Sequence, residues 1–344
     1  MTAQADQSGR DAEIAGFLAR HGWDGANRRR IAGDASFRKY DRLSTTAGEV
    51  ILMDAPPPHE DVRPFVRIAR HLHRLGFSVP AVKAVDEQLG LLLLEDLGDN
   101  TYTRLLARGE SEANLYTLAV DALVALHRVP ATDVAPPGVA AYGRARLLEE
   151  VDRLHVWYLP LVGAPKPDDD AVAEFRKVWD TLIEHAWRAP NSLVLFDYHV
   201  DNLLGLFHRD GIKACGILDF QDAVLGPVTY DLMSLLEDAR RDIDPAIVTA
   251  LKRRYLAAFP AITPADFEAS WTAMAAQRHV RVLGTFARLK LRDGKPHYLH
   301  HVPRLWLYMN RCLEHPIAAP LKAWLDHHVP PPLRVLPPPR ELPP

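Results

Sequence analysis

Cysteines, long apolar runs and net charge are all scarce in this sequence, and each scarcity excludes a class of protein. The two cysteines, Cys215 and Cys312, form no CxxC pair. This argues against a disulfide scaffold or a zinc knuckle and indicates a reducing compartment. The longest apolar runs, such as Leu91 to Leu94, are far shorter than a membrane span, and residues 1–30 lack the apolar segment of a signal peptide. We therefore expect a cytoplasmic protein with no membrane partner.

The charges are nearly balanced, with 41 Lys and Arg residues against 44 Asp and Glu residues and a formal net charge of −3. This balance lacks the basic excess that binding to a phosphate backbone requires, so no nucleic-acid partner is expected. Proline, in contrast, is plentiful, with 28 residues in the chain and a cluster in the tail 329–344. The tail is predicted to be extended or disordered.

The 344 residues suffice for one large or two modest domains, and 48% of them are hydrophobic, as in ordinary folded proteins. Residues 11–21 and 65–75 have the apolar spacing of helices. Segments rich in β-forming residues predict a hairpin within 37–53 and further strands at 79–85 and 91–94. The predicted order is helix, three strands, helix and two strands.

From residue 100 onward the pattern is mostly helical, with short strands predicted only around the polar loop described below. The predicted helices are 113–127, 147–159 and 172–187, and the predicted strands are 193–196, 203–207 and 213–220. The change near residue 95 divides the chain into four segments. They are a β-rich N-terminal lobe (1–94), a hinge (95–98), a helical C-terminal lobe (99–328) and the proline-rich tail (329–344).

A polar loop between two apolar strands contains Asp197 and, five residues later, Asn202. Phosphoryl transfer uses this spacing because a tight loop aims the aspartate at the acceptor hydroxyl while the asparagine oxygen coordinates Mg²⁺. Taken alone, the pair is weak evidence, because Asp and Asn at this spacing more often make hydrogen bonds that stabilise a turn. Asp219 ends the next apolar segment, where a hairpin would return it to the loop. Together the three residues predict the catalytic and metal-binding segment of a kinase.

This segment resembles the aminoglycoside phosphotransferase family, whose fold is related to that of the protein kinases. The resemblance is carried by residues 197–202, 218–223 and 226–232, which read Asp-Tyr-His-Val-Asp-Asn, Leu-Asp-Phe-Gln-Asp-Ala and Gly-Pro-Val-Thr-Tyr-Asp-Leu. It implies an α+β, two-lobed, protein-kinase-like fold with a small nucleotide-binding lobe and a large helical lobe for catalysis and substrate. It also implies ATP and Mg²⁺ as cofactors.

The same resemblance implies roles for four residues. Asp197 would be the catalytic aspartate, and Asn202 and Asp219 would be the metal ligands. Asp231, at the start of a helix, would support the catalytic loop. Without the resemblance, Asp231 reads as an ordinary acidic residue in the first turn of a helix.

Four further segments are similar to the kinases that phosphorylate the anomeric hydroxyl of N-acetylmuramate or N-acetylglucosamine in peptidoglycan recycling. They are residues 33–40, 52–57, 93–98 and 283–289. The similarity implies that the binding partners are a small amino sugar and a nucleotide. We expect a monomer or a weak dimer.

Two positions depart from the kinase pattern. Leu195-Phe196 precedes Asp197, where kinase catalytic loops have His-Arg or His-Gly, and Met53-Asp54 ends the strand that normally carries an ATP-binding lysine. Arg38 or Lys39, one strand earlier, is a candidate source of the missing positive charge. Alternatively, they are ordinary alternating, solvent-facing residues of a strand.

The resemblance also suggests which residues contact the ligands. The candidate nucleotide contacts are Ser36, Phe37, Arg38, Lys39, Glu95 and Leu97. Arginine forks suit carboxylates, and aromatic rings stack on sugar faces. The candidate substrate contacts are His199, Arg144, Trp157, Tyr158, Arg278 and Arg281, with Arg146 and Gln277 in the wider set.

Two alternatives stay open. One is a kinase of the same fold that acts on another hydroxyl, such as that of an aminoglycoside, choline or homoserine. The other is a nucleotide-binding pseudokinase with an interaction role, which the departures at the lysine and histidine positions would suit. HExxH and GxSxG motifs are absent, which argues against a zinc hydrolase or a serine hydrolase.

Overall fold

The structure is a computed structural model that describes residues 2–31, 37–334 and 336, with side chains from residue 9 onward. The helices are α1 (Thr2–Arg20), α2 (Arg63–Arg74), α3 (Tyr102–Ala107), α4 (Glu112–His127), α5 (Arg144–Val151), α6 (Leu159–Leu161), α7 (Asp169–Glu184), α8 (Thr229–Leu236), α9 (Pro245–Ala258), α10 (Pro264–Leu291), α11 (Val302–Cys312) and α12 (Ala319–His328). The strands are β1 (Asn27–Ile31), β2 (Lys39–Thr45), β3 (Gly48–Asp54), β4 (Val82–Asp86), β5 (Leu91–Glu95), β6 (Asn191–Val194), β7 (Leu203–Gly205), β8 (Cys215–Ile217) and β9 (Val224–Pro227). A π-helical turn (Leu154–Tyr158) lies between α5 and α6.

The chain forms two compact units. The first contains residues 1–122 and 200–223, and the second contains residues 123–199 and 224–344. Within the described ranges, no helix has the length and apolar character needed to cross a bilayer. Cys215 and Cys312 are both buried, free thiols.

The first unit is built on a five-stranded antiparallel sheet with the strand order β1-β2-β3-β5-β4. Strands β2 and β3 form the predicted hairpin, whose turn pairs Thr45 with Gly48. Helix α1 packs against the sheet because Ile14, Phe17 and Leu18 recur at helical spacing on one face. The sheet residues in the same buried core are Leu43, Val50, Leu52, Leu91 and Leu93.

A short hairpin formed by β7 and β8 belongs to the same unit. The Ile217 N–H donates to the Ser78 carbonyl at 2.8 Å, and the Gly205 N–H donates to the Asn100 carbonyl at 2.9 Å. These main-chain hydrogen bonds explain why residues 200–223 group with the sheet. The compact units differ for this reason from the predicted division into 1–94 and 99–328.

The second unit is mostly helical, and its longest element is α10, with 28 residues. Thr263 caps α10, since its hydroxyl accepts a hydrogen bond from the Asp266 N–H at 3.1 Å. A Cβ atom on Gly284 would lie 2.4 Å from the Cβ and 2.5 Å from the carbonyl carbon of Arg153. Glycine therefore permits α10 to approach the backbone just before the π-helical turn.

The predicted α+β class is confirmed, and the order of the first seven elements agrees with the prediction. The sequence pattern does not locate β1, because its Asn-Arg-Arg-Arg-Ile side chains are largely exposed and show no apolar alternation. It also misses β9, whose Val-Leu-Gly-Pro sequence resembles a turn. The helix predicted at 147–159 is divided into α5, the π-helical turn and α6.

Candidate functional site

The first unit contains a cavity of about 330 Å³. Its apolar lining residues are Ile31, Ile51, Phe65, Pro80, Leu94, Leu97, Leu204 and Leu218. Its polar and charged lining residues include Arg38, Tyr40, Arg42, Glu95, Asp96, Asp99, Thr101, Arg104, Asn202 and Asp219. Apolar surface combined with a few charged groups is the usual composition of a small-molecule site.

Arg38, Tyr40 and Arg42 line this cavity together because residues two apart on an extended chain share a face. The Arg38 guanidinium lies 3.4 Å from Asp219 Oδ1 and 3.7 Å from Glu60 Oε2. Burial by itself lowers the pKa of Arg38, but the neighbouring Tyr40, Asp219 and Glu60 outweigh it and raise the pKa above its ordinary value. Arg38 is therefore a permanent cation in the cavity wall.

Arg42 connects β2 to the segment that follows β5. Its Nη1 atom lies 2.7 Å from Asp99 Oδ2, and its Nε and Nη2 atoms both donate to the carboxylate of Asp96. The hydrogen bonds with Asp99 and Asp96 raise the pKa of Arg42. This two-carboxylate arrangement holds the predicted hinge segment 95–98 against the sheet.

Asp219 and Asn202 contact each other in the cavity wall, where the Asn202 side-chain nitrogen lies 3.4 Å from Asp219 Oδ2. The other oxygen of Asp219, Oδ1, accepts a hydrogen bond from Gln221 Nε2 at 2.8 Å. Asp219 has a φ of 57°, a left-handed conformation that is uncommon for a residue other than glycine. Such conformations concentrate at functional sites, where the surrounding contacts maintain them.

The pair fits the chemistry of a magnesium ion. Carboxylate and amide oxygens are hard ligands of the kind that Mg²⁺ prefers. The Asn202 side-chain amide lies within 3.4 Å of the Asp219 carboxylate, so these two residues would hold the ion together.

Asp54 occupies the end of β3, where the kinase pattern has a lysine. The carboxylate is buried, and its Oδ1 atom lies 2.7 Å from Arg10 Nη2 of α1. The charge of Asp54 is therefore balanced by the N-terminal helix. The cation that contacts Asp219 is Arg38, which comes from the chain immediately before β2.

In the second unit, Asp231 at the start of α8 binds the backbone of the loop that follows β6. Its Oδ2 atom accepts a hydrogen bond from the Leu195 N–H at 2.6 Å, and its Oδ1 atom accepts one from the Phe196 N–H at 3.0 Å. Burial raises the pKa of Asp231 to about 7, although the two N–H groups favour the ionised form. The residue that immediately follows this hydrogen-bonded pair is Asp197.

Arg281 of α10 brings a positive charge close to the same loop. Its Nη2 atom donates a hydrogen bond to the Tyr230 hydroxyl at 2.9 Å. Burial by itself lowers the pKa of Arg281, but Tyr230, Tyr142, Glu150 and Asp197 raise it overall. Arg281 therefore remains charged and interacts electrostatically with Asp197.

Glu150 is a buried carboxylate that neutralises part of this positive charge. It accepts hydrogen bonds from the Tyr142 hydroxyl at 2.6 Å, from Gln277 Nε2 at 3.0 Å and from Arg146 Nε at 3.0 Å. Burial alone would raise the pKa of Glu150, but Arg281, Tyr142 and Gln277 hold it below its ordinary value. Glu150 is thus an anion between arginines of α5 and α10.

Residues 27–268 match the phosphotransferase enzyme family, and this range includes Asp197, Asn202, Asp219 and Asp231. The chain belongs to this phosphotransferase family. An N-acetylmuramate/N-acetylglucosamine kinase of Caulobacter vibrioides is 37% identical over 94% of this chain and 98% of its own. A kinase of the same name from Pseudomonas aeruginosa is 38% identical over 82% of each chain.

A solved macrolide 2′-phosphotransferase of Brachybacterium faecium superposes on this phosphotransferase with a TM-score of 0.55. The two sequences are 16% identical, and the superposition covers 93% of this chain and 98% of that one. At this identity the likeness concerns the fold. Together with the family match, it confirms the kinase-like fold that the sequence resemblance implies.

Some of the predicted nucleotide contacts of the phosphotransferase line the cavity, and others are exposed elsewhere. Arg38, Glu95 and Leu97 line the cavity. Phe37 is exposed and stacks on His59 with a centroid separation of 4.8 Å, and Lys39 is exposed on β2. Ser36 lies outside the described residues.

Glu95 also makes a main-chain hydrogen bond and an ion pair within the first unit. Its N–H donates to the Ala81 carbonyl at 2.8 Å, and its carboxylate lies 2.6 Å from Arg209 Nη2. The side chain therefore stabilises the fold around the cavity. Pairing of the backbone at Glu95 and Leu97 with a nucleotide base stays a prediction.

The predicted substrate contacts occupy different parts of the second unit. Arg281 interacts with Asp197, whereas Arg144 lies on the surface and pairs with Asp180 and Glu184 of α7. Arg278 is buried on α10, and His199 is buried at the end of the catalytic loop segment. These placements favour Arg281 over Arg144 as part of the site.

The two predicted aromatic contacts have different surroundings. The buried Tyr158 hydroxyl accepts a hydrogen bond from Trp306 Nε1 at 2.7 Å and donates one to the Leu333 carbonyl at 2.9 Å. Tyr158 therefore stabilises the core of the second unit. Trp157 is half-buried in the π-helical turn.

Glu237, His279 and Cys312 form a group of potential metal ligands within the described part of the chain, with their ligand atoms within 4.8 Å of one another. The Glu237 carboxylate already accepts a hydrogen bond from Trp271 Nε1 at 3.0 Å and contacts His279 Nε2 at 2.7 Å. These hydrogen bonds account for the group without a metal ion.

Proposed function

We propose that this phosphotransferase is an ATP-dependent kinase that transfers phosphate to the anomeric hydroxyl of N-acetylmuramate, N-acetylglucosamine or both. The observation that carries the proposal is the similarity to the Caulobacter relative, which extends over nearly the full length of both chains. The arrangement of Asp231 and the loop that contains Asp197 supports it, because a kinase needs a fixed aspartate for the acceptor hydroxyl.

Asp197 orients the sugar hydroxyl and accepts its proton late in the reaction. The transition state of phosphoryl transfer is loose, so positioning matters more than basic strength. Asp231 holds the two backbone N–H groups that precede Asp197. Arg281 supplies a nearby positive charge that interacts electrostatically with Asp197.

The cavity of the first unit binds the nucleotide, with the base against its apolar lining and the phosphates toward Arg38. Asn202 and Asp219 would hold Mg²⁺, which neutralises charge on the transferring phosphates when it is bound. We place the reaction in the cytoplasm, where ATP is available and where the free thiols of Cys215 and Cys312 stay reduced.

A panel of acceptors tests the proposal directly. Consumption of ATP is measured with N-acetylmuramate, N-acetylglucosamine, an aminoglycoside, choline and homoserine, and the product is located by ³¹P NMR. We expect phosphate on the anomeric oxygen of an N-acetyl sugar. The matched control is the methyl glycoside of N-acetylglucosamine, whose anomeric oxygen is blocked and which should accept no phosphate.

Three results would contradict the proposal. Phosphorylation of the methyl glycoside at the rate of the free sugar would place the phosphate on another hydroxyl. Turnover with choline, homoserine or the aminoglycoside alone would assign another acceptor class. Nucleotide binding without transfer to any acceptor would indicate a pseudokinase.

A further inference from the structure

Phe196 occupies the position just before Asp197, where kinase catalytic loops carry arginine or glycine. Its φ is 77°, in the left-handed region that aromatic residues rarely adopt. Such a conformation persists only where the surrounding structure determines it. The hydrogen bond from the Phe196 N–H to Asp231 fixes the backbone, and the contacts of the ring provide a second set of restraints.

Two guanidinium groups lie against the Phe196 ring. The Cζ atom of Arg281 is 4.4 Å from the ring centroid, and the Cζ atom of Arg146 is 4.8 Å from it. A cation within about 6 Å of an aromatic centroid is attracted by the ring quadrupole, and the attraction is larger at buried sites. Each arginine belongs to a different helix, so the ring joins α5 to α10.

Two tyrosines also contact the same ring. Tyr230 stacks on it with a centroid separation of 5.4 Å and an interplanar angle of 15°. Tyr142 meets it at 5.5 Å and 75°, in an edge-to-face arrangement. Both geometries are favourable for aromatic pairs.

The negative charge of Glu150 offsets the repulsion between the two arginines. Its carboxylate lies 3.0 Å from Arg146 Nε and 3.9 Å from Arg281 Nε. The Tyr142 hydroxyl donates to the same carboxylate, and Arg281 donates to the Tyr230 hydroxyl. The groups around the Phe196 ring therefore hold one another in place.

We propose that Phe196 is a positioning residue, whose ring is clamped by Arg146, Arg281 and Tyr230 so that the following residue, Asp197, holds its carboxylate in one orientation. These contacts lie at the position where kinase catalytic loops have His-Arg or His-Gly before the aspartate. The inference rests on the proposed catalytic role of Asp197, but it does not depend on which acceptor the enzyme uses.

The test compares Phe196→Leu with Phe196→Tyr, which keeps an aromatic ring. The matched control is Phe207→Leu, since Phe207 is 58% exposed and lies in the other unit. We expect kcat of Phe196→Leu to fall roughly 10- to 100-fold, with KM for sugar and nucleotide within about twofold of wild type. Phe196→Tyr should recover kcat to within about threefold, and Phe207→Leu should match wild type.

Each kcat is calculated per mole of protein that binds nucleotide in calorimetric titration. Misfolded protein therefore does not contribute to the comparison. A second variant, Arg146→Lys, keeps the charge of a partly exposed side chain but loses the flat guanidinium. We expect it to lower kcat roughly 3- to 10-fold. This variant keeps the proposal testable if Phe196→Leu does not fold.

Wild-type kcat in Phe196→Leu, or equal losses in Phe196→Leu and Phe196→Tyr, would overturn the positioning role. The series uses whichever acceptor the wild-type enzyme phosphorylates fastest, and ATP hydrolysis by water if no acceptor is found. The identity of that acceptor tests the proposed function. The ratio of variant to wild-type kcat tests Phe196, so the two failures are distinguishable.

Discussion

The Arg38 guanidinium lies 3.4 Å from the Asp219 carboxylate, within the wall of one cavity. The end of β3, which carries a lysine in the kinase pattern, has instead a buried aspartate paired with Arg10. We therefore expect the cation for the nucleotide phosphates to be Arg38, which immediately precedes β2. This relationship leads to a prediction about Arg38.

Replacement of Arg38 by glutamine should weaken nucleotide binding, because a charged donor is lost beside Asp219. We expect Kd for ATP to rise about tenfold, as for a single charge-assisted contact. Titration calorimetry with ATP measures the change. The matched control is Lys39→Gln, since Lys39 is exposed on β2, and it should stay within about twofold of wild type. Equal effects of the two substitutions would contradict the assignment of Arg38.

Asp197→Asn should abolish most turnover while leaving nucleotide affinity intact. The amide can still accept a hydrogen bond, but it cannot take the proton of the acceptor hydroxyl. We expect kcat to fall about 10²- to 10⁴-fold, the usual contribution of a proton acceptor. Steady-state kinetics and ATP titration measure the two quantities. The control is Asp210→Asn on the exposed turn between β7 and β8, and a wild-type kcat in Asp197→Asn would refute the assignment.

The contribution of Asp231 to the stability of the fold should decrease as the pH rises from about 4 to about 7. Burial raises the pKa of Asp231 in the folded chain from 3.8 to about 7, so its contribution to stability is fully present below the unfolded pKa and is lost as the pH passes through the folded pKa. The free energy of unfolding that is lost across this pH range is of the order of 4 kcal/mol. Urea unfolding at pH 4.5 and pH 8 measures it.

The comparison for Asp231 is Asp231→Asn, which does not titrate. The difference between the unfolding free energies at the two pH values should shrink in this variant. The exposed Asp170→Asn on α7 should leave it unchanged. If Asp231→Asn retains the full pH dependence of the wild type, another group is responsible.

Gly284→Ala should destabilise the second unit. The added Cβ atom would lie within 2.5 Å of the backbone of Arg153, so α10 and the chain before the π-helical turn must separate. We expect a loss of about 1–3 kcal/mol, as for overpacking. Gly16→Ala is the control, because Gly16 is only partly buried on α1 and its Cβ would meet only an arginine side-chain atom at 3.6 Å. It should raise helix stability by about 0.5–1 kcal/mol, and thermal unfolding of both variants measures the contrast.

The sequence alone predicts the catalytic segment because its residues are close together in the chain. Asp197 and Asn202 share one loop, and Asp219 follows the next hairpin, so spacing and residue type identify them as one candidate segment. The expectation that Asp231 supports this loop comes from the family resemblance. The catalytic and metal-binding roles of these residues stay predictions.

The contacts that hold these segments are not predictable in the same way. Arg42 and Asp99 are 57 residues apart, and Gln277 and Glu150 are 127 apart. The sequence also cannot decide between Arg38 and Lys39, because successive residues on a strand face opposite sides and only the packed sheet shows which side lines the cavity. Nothing in the local pattern signals that Phe196 is enclosed by two arginines.

The first unit is made from two stretches of chain, 1–122 and 200–223, and this has a consequence for synthesis on the ribosome. When residue 122 emerges, β7 and β8 have not been translated, and neither Asn202 nor Asp219 exists. The cavity wall is completed only after residues 123–199 have also been made. We therefore expect the nascent chain to acquire nucleotide binding late, and an N-terminal fragment that ends at residue 122 to lack it.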